Sequence, residues 1–123
     1  MSMADYVKYS VPEELKTKQA TILEKINKTG KIRIGANEAT KAAERGTAKL
    51  IVIAEDVSPP EIVMHLPIIC KEKNIPYSYT STKKELGEKV GLEVGTAALA
   101  ITDEGDTKKD FEDLTKKLQE LAK

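Results

Sequence analysis

A chain of 123 residues with twenty basic and twenty acidic side chains has no formal net charge, so any attraction to nucleic acid or to an anionic membrane has to come from a local patch. That length suffices for one compact domain, expected over residues 1–123, with a core that needs neither disulfides nor metal. One cysteine cannot form an internal disulfide, and no apolar run approaches a membrane span or a signal-peptide core; the expected location is the cytoplasm, with no membrane partner.

Residues 1–9 lack the length of an independent element and are expected as an edge strand or tail. Ser10 and Glu13 stand at capping-box spacing, and Pro12 suits a first turn. Leu15, Ile22, Leu23 and Ile26 then recur at helical intervals up to Gly30, which predicts a first helix with one apolar face. Lys-Ile-Arg-Ile at 31–34 reads as a short strand delivered through Gly35 into a helix over 38–45, with Asn37 as its N-cap and Gly46 in the left-handed position past its end. The run 49–54, Lys-Leu-Ile-Val-Ile-Ala, predicts a strand covered on both faces. Pro59-Pro60 opens a helix with Ile62, Val63, Leu66, Ile69 and Cys70 on one face and a kink at Pro67. A strand at 74–79 follows. Thr82 and Glu85 then introduce a helix that carries Leu86 and Val90 and is stopped by Gly91. A loop at 92–96, a strand at 97–102 and an acidic turn at 103–106 lead to a last helix with Phe111, Leu114, Leu118 and Leu121 in one stripe. This alternation predicts an α/β chain: a three-layer α/β/α sandwich around a mixed sheet of about four strands, partly parallel with right-handed crossovers.

Enzyme chemistry finds no footing. The chain has no Gly-x-Gly-x-x-Gly after a strand, no phosphate-loop Gly-Lys-Ser/Thr and no Gly-x-Ser-x-Gly turn, so neither catalytic residues nor a cofactor are expected. His65, the one histidine, falls beside core positions and is expected to pack there; Cys70 is expected to pack on the apolar face of its helix. One histidine and one cysteine do not assemble a typical zinc site. Asp103, Glu104 and Asp106 lack the spacing of a calcium loop and read as a solvated turn and N-cap.

The stretch 30–46 is the candidate site. A helix start after a glycine turn presents unpaired N–H groups and the positive end of the helix dipole, which suit a phosphate or an electronegative base edge. Between residues 28 and 49 stand Lys28, Lys31, Arg33, Lys41, Arg45 and Lys49 against only Glu38 and Glu44, so this neighbourhood is basic although the protein is not. An Asn after a glycine turn is by itself an ordinary helix cap, and Glu in a first turn merely suits the dipole.

The segment Gly35-Ala36-Asn37-Glu38-Ala39-Thr40-Lys41, with Arg45-Gly46 after it, resembles the signature of the archaeal L-seven-Ae family of ribosomal proteins, which bind kink-turn RNA. The likeness extends over nearly the whole chain. It includes Val11-Pro12-Glu13, Ala48-Lys49-Leu50, Ile53-Ala54-Glu55-Asp56-Val57, Pro60-Glu61-Ile62-Val63, His65-Leu66-Pro67 with Cys70, Ile75-Pro76-Tyr77 and Leu86-Gly87. The resemblance implies a non-enzymatic protein that binds a sharp RNA bend where sheared guanine–adenine pairs flank a bulge. A carboxylate only accepts hydrogen bonds, so Glu38 suits a free guanine edge, while Asn37 both donates and accepts at a neighbouring purine. Lys41 reaches a phosphate or base acceptor, and Lys31, Arg33 and Arg45 suit backbone phosphates. Ile62 and Lys83 fall where the family contacts the bulged nucleotide, and Leu92, Glu93 and Val94 where it has an apolar selectivity loop.

Three positions depart from the family pattern: Ile34 where a lysine is common, Ser58 where an acid often stands and Gly95 where proline is frequent. The implied RNA partners are ribosomal RNA of the large subunit, box C/D and H/ACA guide RNAs and ribonuclease P RNA, together with proteins of the RNA-modification particles. Two alternatives stay open, a paralogue restricted to ribosomal or regulatory RNA and a protein-only adaptor of the same fold; Asn37 and Glu38 argue against the second.

Overall fold

In the computed structural model, which describes residues 6–122, the chain alternates between helix and strand from end to end. Helix α1 (Glu13–Thr29) leads into strand β1 (Lys31–Ile34), helix α2 (Ala36–Glu44) and strand β2 (Leu50–Ala54). A 3-10 turn (Pro60–Ile62) and helix α3 (His65–Lys73) cross to strand β3 (Tyr77–Thr80), followed by helix α4 (Lys83–Lys89) and strand β4 (Ala98–Asp103). A second 3-10 turn (Gly105–Thr107) opens the closing helix α5 (Lys108–Leu121). No helix among the described residues is long and apolar enough to cross a membrane.

The four strands make one mixed sheet in the order β1-β4-β2-β3, with β2 and β3 parallel and β4 antiparallel to both its neighbours. Helix α2 packs on β1, β4 and α3, while α1 packs on α4 and α5, giving the α/β/α sandwich that the alternation predicts. All five residues of β2 are buried, as its β-branched run requires of a central strand covered on both faces.

This topology gathers one set of chain reversals at one end of the sheet. Strands β1, β2 and β3 all finish where β4 begins, as the partners Ile34–Leu99, Ile53–Ala98 and Ala54–Thr80 record. The backbone continues the pairing just beyond the strands: Gly35 N–H donates to the Ala98 carbonyl at 2.8 Å, Ala54 to Ala97 at 2.9 Å and Glu55 to Thr80 at 2.9 Å. The starts of α2 and α4 and the loops flanking them therefore emerge at the same end of the sheet, at its two edges.

Several elements differ from the sequence expectation. Residues 6–9 are neither edge strand nor tail, and residues 1–5 lie outside the described residues. Tyr6, Val7 and Tyr9 are buried. The Tyr6 hydroxyl donates to the Ala54 carbonyl at 2.8 Å and accepts Val57 N–H at 3.0 Å. Tyr79 donates to the Tyr6 carbonyl at 2.6 Å and accepts Lys8 N–H at 3.1 Å, and the Tyr9 hydroxyl donates to the Tyr77 carbonyl. The rings of Tyr9, Tyr77 and Tyr79 meet edge to face, with centroids 5.5–6.1 Å apart, so hydroxyl bonding and ring packing together hold the segment down.

Helix α1 starts at Glu13 with Pro12 as its N-cap and no side-chain capping bond. The helix expected from Pro59 is instead a 3-10 turn followed by α3, and Ile62, expected on the core face, is 43% exposed. Pro67 does not kink α3. It falls in the first turn, where a missing N–H removes no helical bond. Asn74 ends α3 in the left-handed conformation, φ 58°, so β3 starts at Tyr77 and not at 74. Leu121 is 38% exposed, leaving Phe111, Leu114 and Leu118 as the buried stripe of α5. The acidic turn does not cap α5, whose N-cap is Thr107; Asp103 instead accepts Gly105 N–H at 2.9 Å within the turn. The capping interaction at Thr82 forms as expected, its hydroxyl accepting Glu85 N–H at 3.1 Å.

Candidate nucleic-acid interface

The site begins with a backbone conformation that side chains disfavour. Gly35 has φ 107° and ψ 152°, a region left almost wholly to glycine, and turns the chain out of β1 into α2. Its carbonyl accepts Ala39 N–H at 2.9 Å, which makes Gly35 the N-cap and starts the helix at Ala36, two residues before the expected start. Asn37 is therefore not the cap. It stands exposed inside the first turn, among N–H groups that lack helical partners.

Ala39, Ala42 and Ala43 form the buried face of α2, and their small side chains let the helix lie close on the sheet. The opposite face carries Glu38, Lys41 and Arg45, three and seven residues along, which is one stripe of a helix. Lys41 Nζ sits 3.3 Å from Glu38 Oε2, with the side chains 59% and 43% exposed. Arg33 and Lys31, at alternate exposed positions of the edge strand β1, face the same stripe. Together they line a groove of about 480 Å³ between β1 and α2.

The basic patch is smaller than the spacing in sequence suggests. Lys49 is held at 3.0 Å by Glu104, and Lys28, in the last turn of α1, does not line the groove. Four cations remain: Lys31, Arg33, Lys41 and Arg45. The groove also includes Thr47, Thr102 and Asp103, which sequence reasoning missed; Asp103 arrives there as the register partner of Lys31, a pairing with no local signal.

The other segments implicated by resemblance emerge at the same end of the sheet as the start of α2. Lys83 opens α4; its N–H donates to Asp56 Oδ1 at 2.8 Å and its carbonyl accepts Thr96 N–H at 3.1 Å. The loop 92–96 is thereby laid against the start of α4. It approaches closely because Gly87 has no side chain: a Cβ there would lie 2.1 Å from the Val94 carbonyl oxygen. Leu92 and Val94 have different surroundings. Leu92 is half-buried against the core, whereas Glu93 is exposed and Val94 is 71% exposed. Of the three departures, Ile34 packs against the core, Ser58 is exposed, and Gly95 lies against Lys83, where a Cβ would come within 3.0 Å.

The model of the ribosomal protein L7Ae/L30e/S12e/Gadd45 family matches residues 17–111, which take in the whole sheet, α2, Lys83 and the loop 92–94. The chain belongs to that family. Among solved structures it is similar to the 15.5kD RNA binding protein of Giardia lamblia, at 30% identity and a TM-score of 0.88 over 97% of this chain and 99% of that one. L7Ae-family proteins are binding proteins and not enzymes.

Proposed function

We propose that this L7Ae-family chain is a single RNA-binding domain that recognises kink-turn RNA through the start of α2. The observation that carries this reading is the exposed first turn of α2, where Asn37 and the acceptor Glu38 stand at the head of a groove lined by four cations. On binding, Glu38 exchanges Lys41 for the guanine donors left free by a sheared pair, and Asn37 meets the neighbouring purine edge. Lys41, released, turns to a phosphate or base acceptor. Lys31, Arg33 and Arg45 hold the phosphate backbone without reading sequence. Exposed Ile62 and half-buried Lys83 attend the bulged nucleotide, and the loop 92–94 selects among RNAs. The kinship with an RNA-binding protein supports this reading.

The same chemistry would serve large-subunit ribosomal RNA, box C/D and H/ACA guide RNAs and ribonuclease P RNA in the cytoplasm, with proteins of the modification particles docking elsewhere on the surface. The test is a titration of a labelled kink-turn against the same RNA with its sheared guanine–adenine pairs replaced by Watson–Crick pairs, at one fixed salt concentration. Tight binding to the first and only weak, salt-sensitive binding to the second is expected; equal affinity would overturn the reading.

A further inference from the structure

Thr40, on the second turn of α2, makes two short contacts. Its hydroxyl oxygen is 2.7 Å from the Ala36 carbonyl and 2.7 Å from His65 Nε2. A carbonyl only accepts, so the hydroxyl hydrogen is committed to Ala36, and the hydrogen in the second contact has to come from the imidazole. Nε2 therefore carries it. His65 is the first residue of α3 and half-buried, so a directed chain runs from the ring of α3 through Thr40 to the carbonyl of Ala36.

Ala36 opens α2, and the next two residues are Asn37 and Glu38. The backbone bonds of Gly35 to Ala98 and Ala39 and the packing of Ala36 tie this turn to the sheet, and the Thr40–His65 contact adds a tie to α3. The residue before it is Gly35, without a side chain, and the buried face of α2 is alanine, which sets the distance to the sheet but gives no direction. Helix ends are where backbone order is lost first. A threonine bonding back four residues leaves its oxygen free to move with the helix unless a second element holds that oxygen, and α3 packs against α2 at this place.

We propose that His65 is a positioning residue for the RNA site: through Thr40 it fixes the first turn of α2, so that Asn37 and Glu38 meet RNA already oriented. This rests on the kink-turn reading above. The gain is pre-organisation, since an oriented turn has less conformational freedom to lose when RNA binds.

The experiment compares wild type, His65→Leu, His65→Gln, Thr40→Val, the His65→Leu/Thr40→Val double variant and Glu38→Ala by kink-turn titration, and by amide hydrogen exchange of the RNA-free proteins. His65→Leu and Thr40→Val should each weaken binding by about three- to tenfold, the range one lost hydrogen bond gives, and the double variant should be no weaker than the worse single one. His65→Gln, whose amide still donates, should recover most of the loss. Exchange at Ala39 and Thr40 should quicken in His65→Leu while that of β2 does not change. Wild-type binding by His65→Leu, failure of His65→Gln to recover, or faster exchange spread evenly over the sheet would each overturn the positioning role. If Glu38→Ala binds like wild type, the kink-turn reading itself fails, and the exchange data still decide whether His65 orders the first turn.

Discussion

Glu38 and Lys41 hold each other at 3.3 Å across one turn of α2 while both side chains stay substantially open to solvent. An exposed pair of this spacing contributes only about 0.2–0.5 kcal/mol to stability, so exchanging it for RNA partners costs little. Glu38→Ala should therefore leave the urea midpoint almost unchanged. It should weaken kink-turn binding by about 1–3 kcal/mol, the range for a base-reading contact. Parallel unfolding and RNA titration check both halves; a large stability loss would make Glu38 a structural residue.

Counterion release sets the second prediction. Lys31, Arg33, Lys41 and Arg45 line the groove, so affinity should fall steeply with salt, and Arg33→Ala should shallow the logarithmic slope by about 0.7–0.9. Lys49→Ala should change that slope much less, because Glu104 already neutralises Lys49. Equal effects at Arg33 and Lys49 would show that the groove is not where phosphate binds.

Gly35 separates backbone strain from steric clash. A Cβ at this position meets nothing within 4 Å, yet φ is 107°. Gly35→Ala should thus destabilise the protein by about 1–3 kcal/mol through conformation alone, with the denaturant m-value unchanged. An alanine variant as stable as wild type would mean that the turn relaxes into another geometry.

At alkaline pH the buried thiol and phenols should drive unfolding. Burial pushes Cys70 from 9.0 up to about 12, and burial first, then the neighbouring tyrosines, pushes Tyr9 higher still. Each group is held protonated when folded, so its contribution is full below the unfolded pKa and is lost as pH rises towards the folded value. Stability should be flat up to about pH 9 and decline above it. Urea midpoints measured across that range test this, and Cys70→Val should remove part of the decline.

The loop before β4 divides its labour between two apolar residues. Val94→Arg replaces an exposed apolar group by a phosphate-binding one and should re-rank affinities for box C/D, H/ACA and ribosomal kink-turns at fixed salt. Leu92→Ala should instead cost stability, since Leu92 packs against the core. A uniform shift across all RNAs for Val94→Arg would reduce the loop to general attraction.

How much of this was legible in the sequence depends on whether the controlling contact is local. The β-branched run of β2, the cap at Thr82 and the left-handed Gly46 after α2 are local, and the structure follows them. Gly35 and Asn37 are both competent caps, and the choice falls to Gly35, whose N–H and carbonyl are both bonded at the turn; the bond to Ala98 is far away in sequence. The burial of Tyr6 depends on a carbonyl 48 residues away, the loss of Lys49 from the patch on a glutamate 55 residues away, and the bond between Thr40 and His65 spans 25. No periodicity encodes such pairs. Glu38, Ile62, Lys83 and the loop 92–94 came from resemblance, because an acid in a basic stretch and a lone exposed valine have ordinary readings of their own.

The central claim is that the Glu38 carboxylate accepts a hydrogen bond from a guanine of the RNA. It is tested most directly by titrating wild type and Glu38→Ala against a kink-turn and the same RNA with that guanine replaced by inosine, which lacks the exocyclic amino group. Wild type should lose affinity on the inosine RNA and Glu38→Ala should not distinguish the two; losses that simply add would contradict the contact.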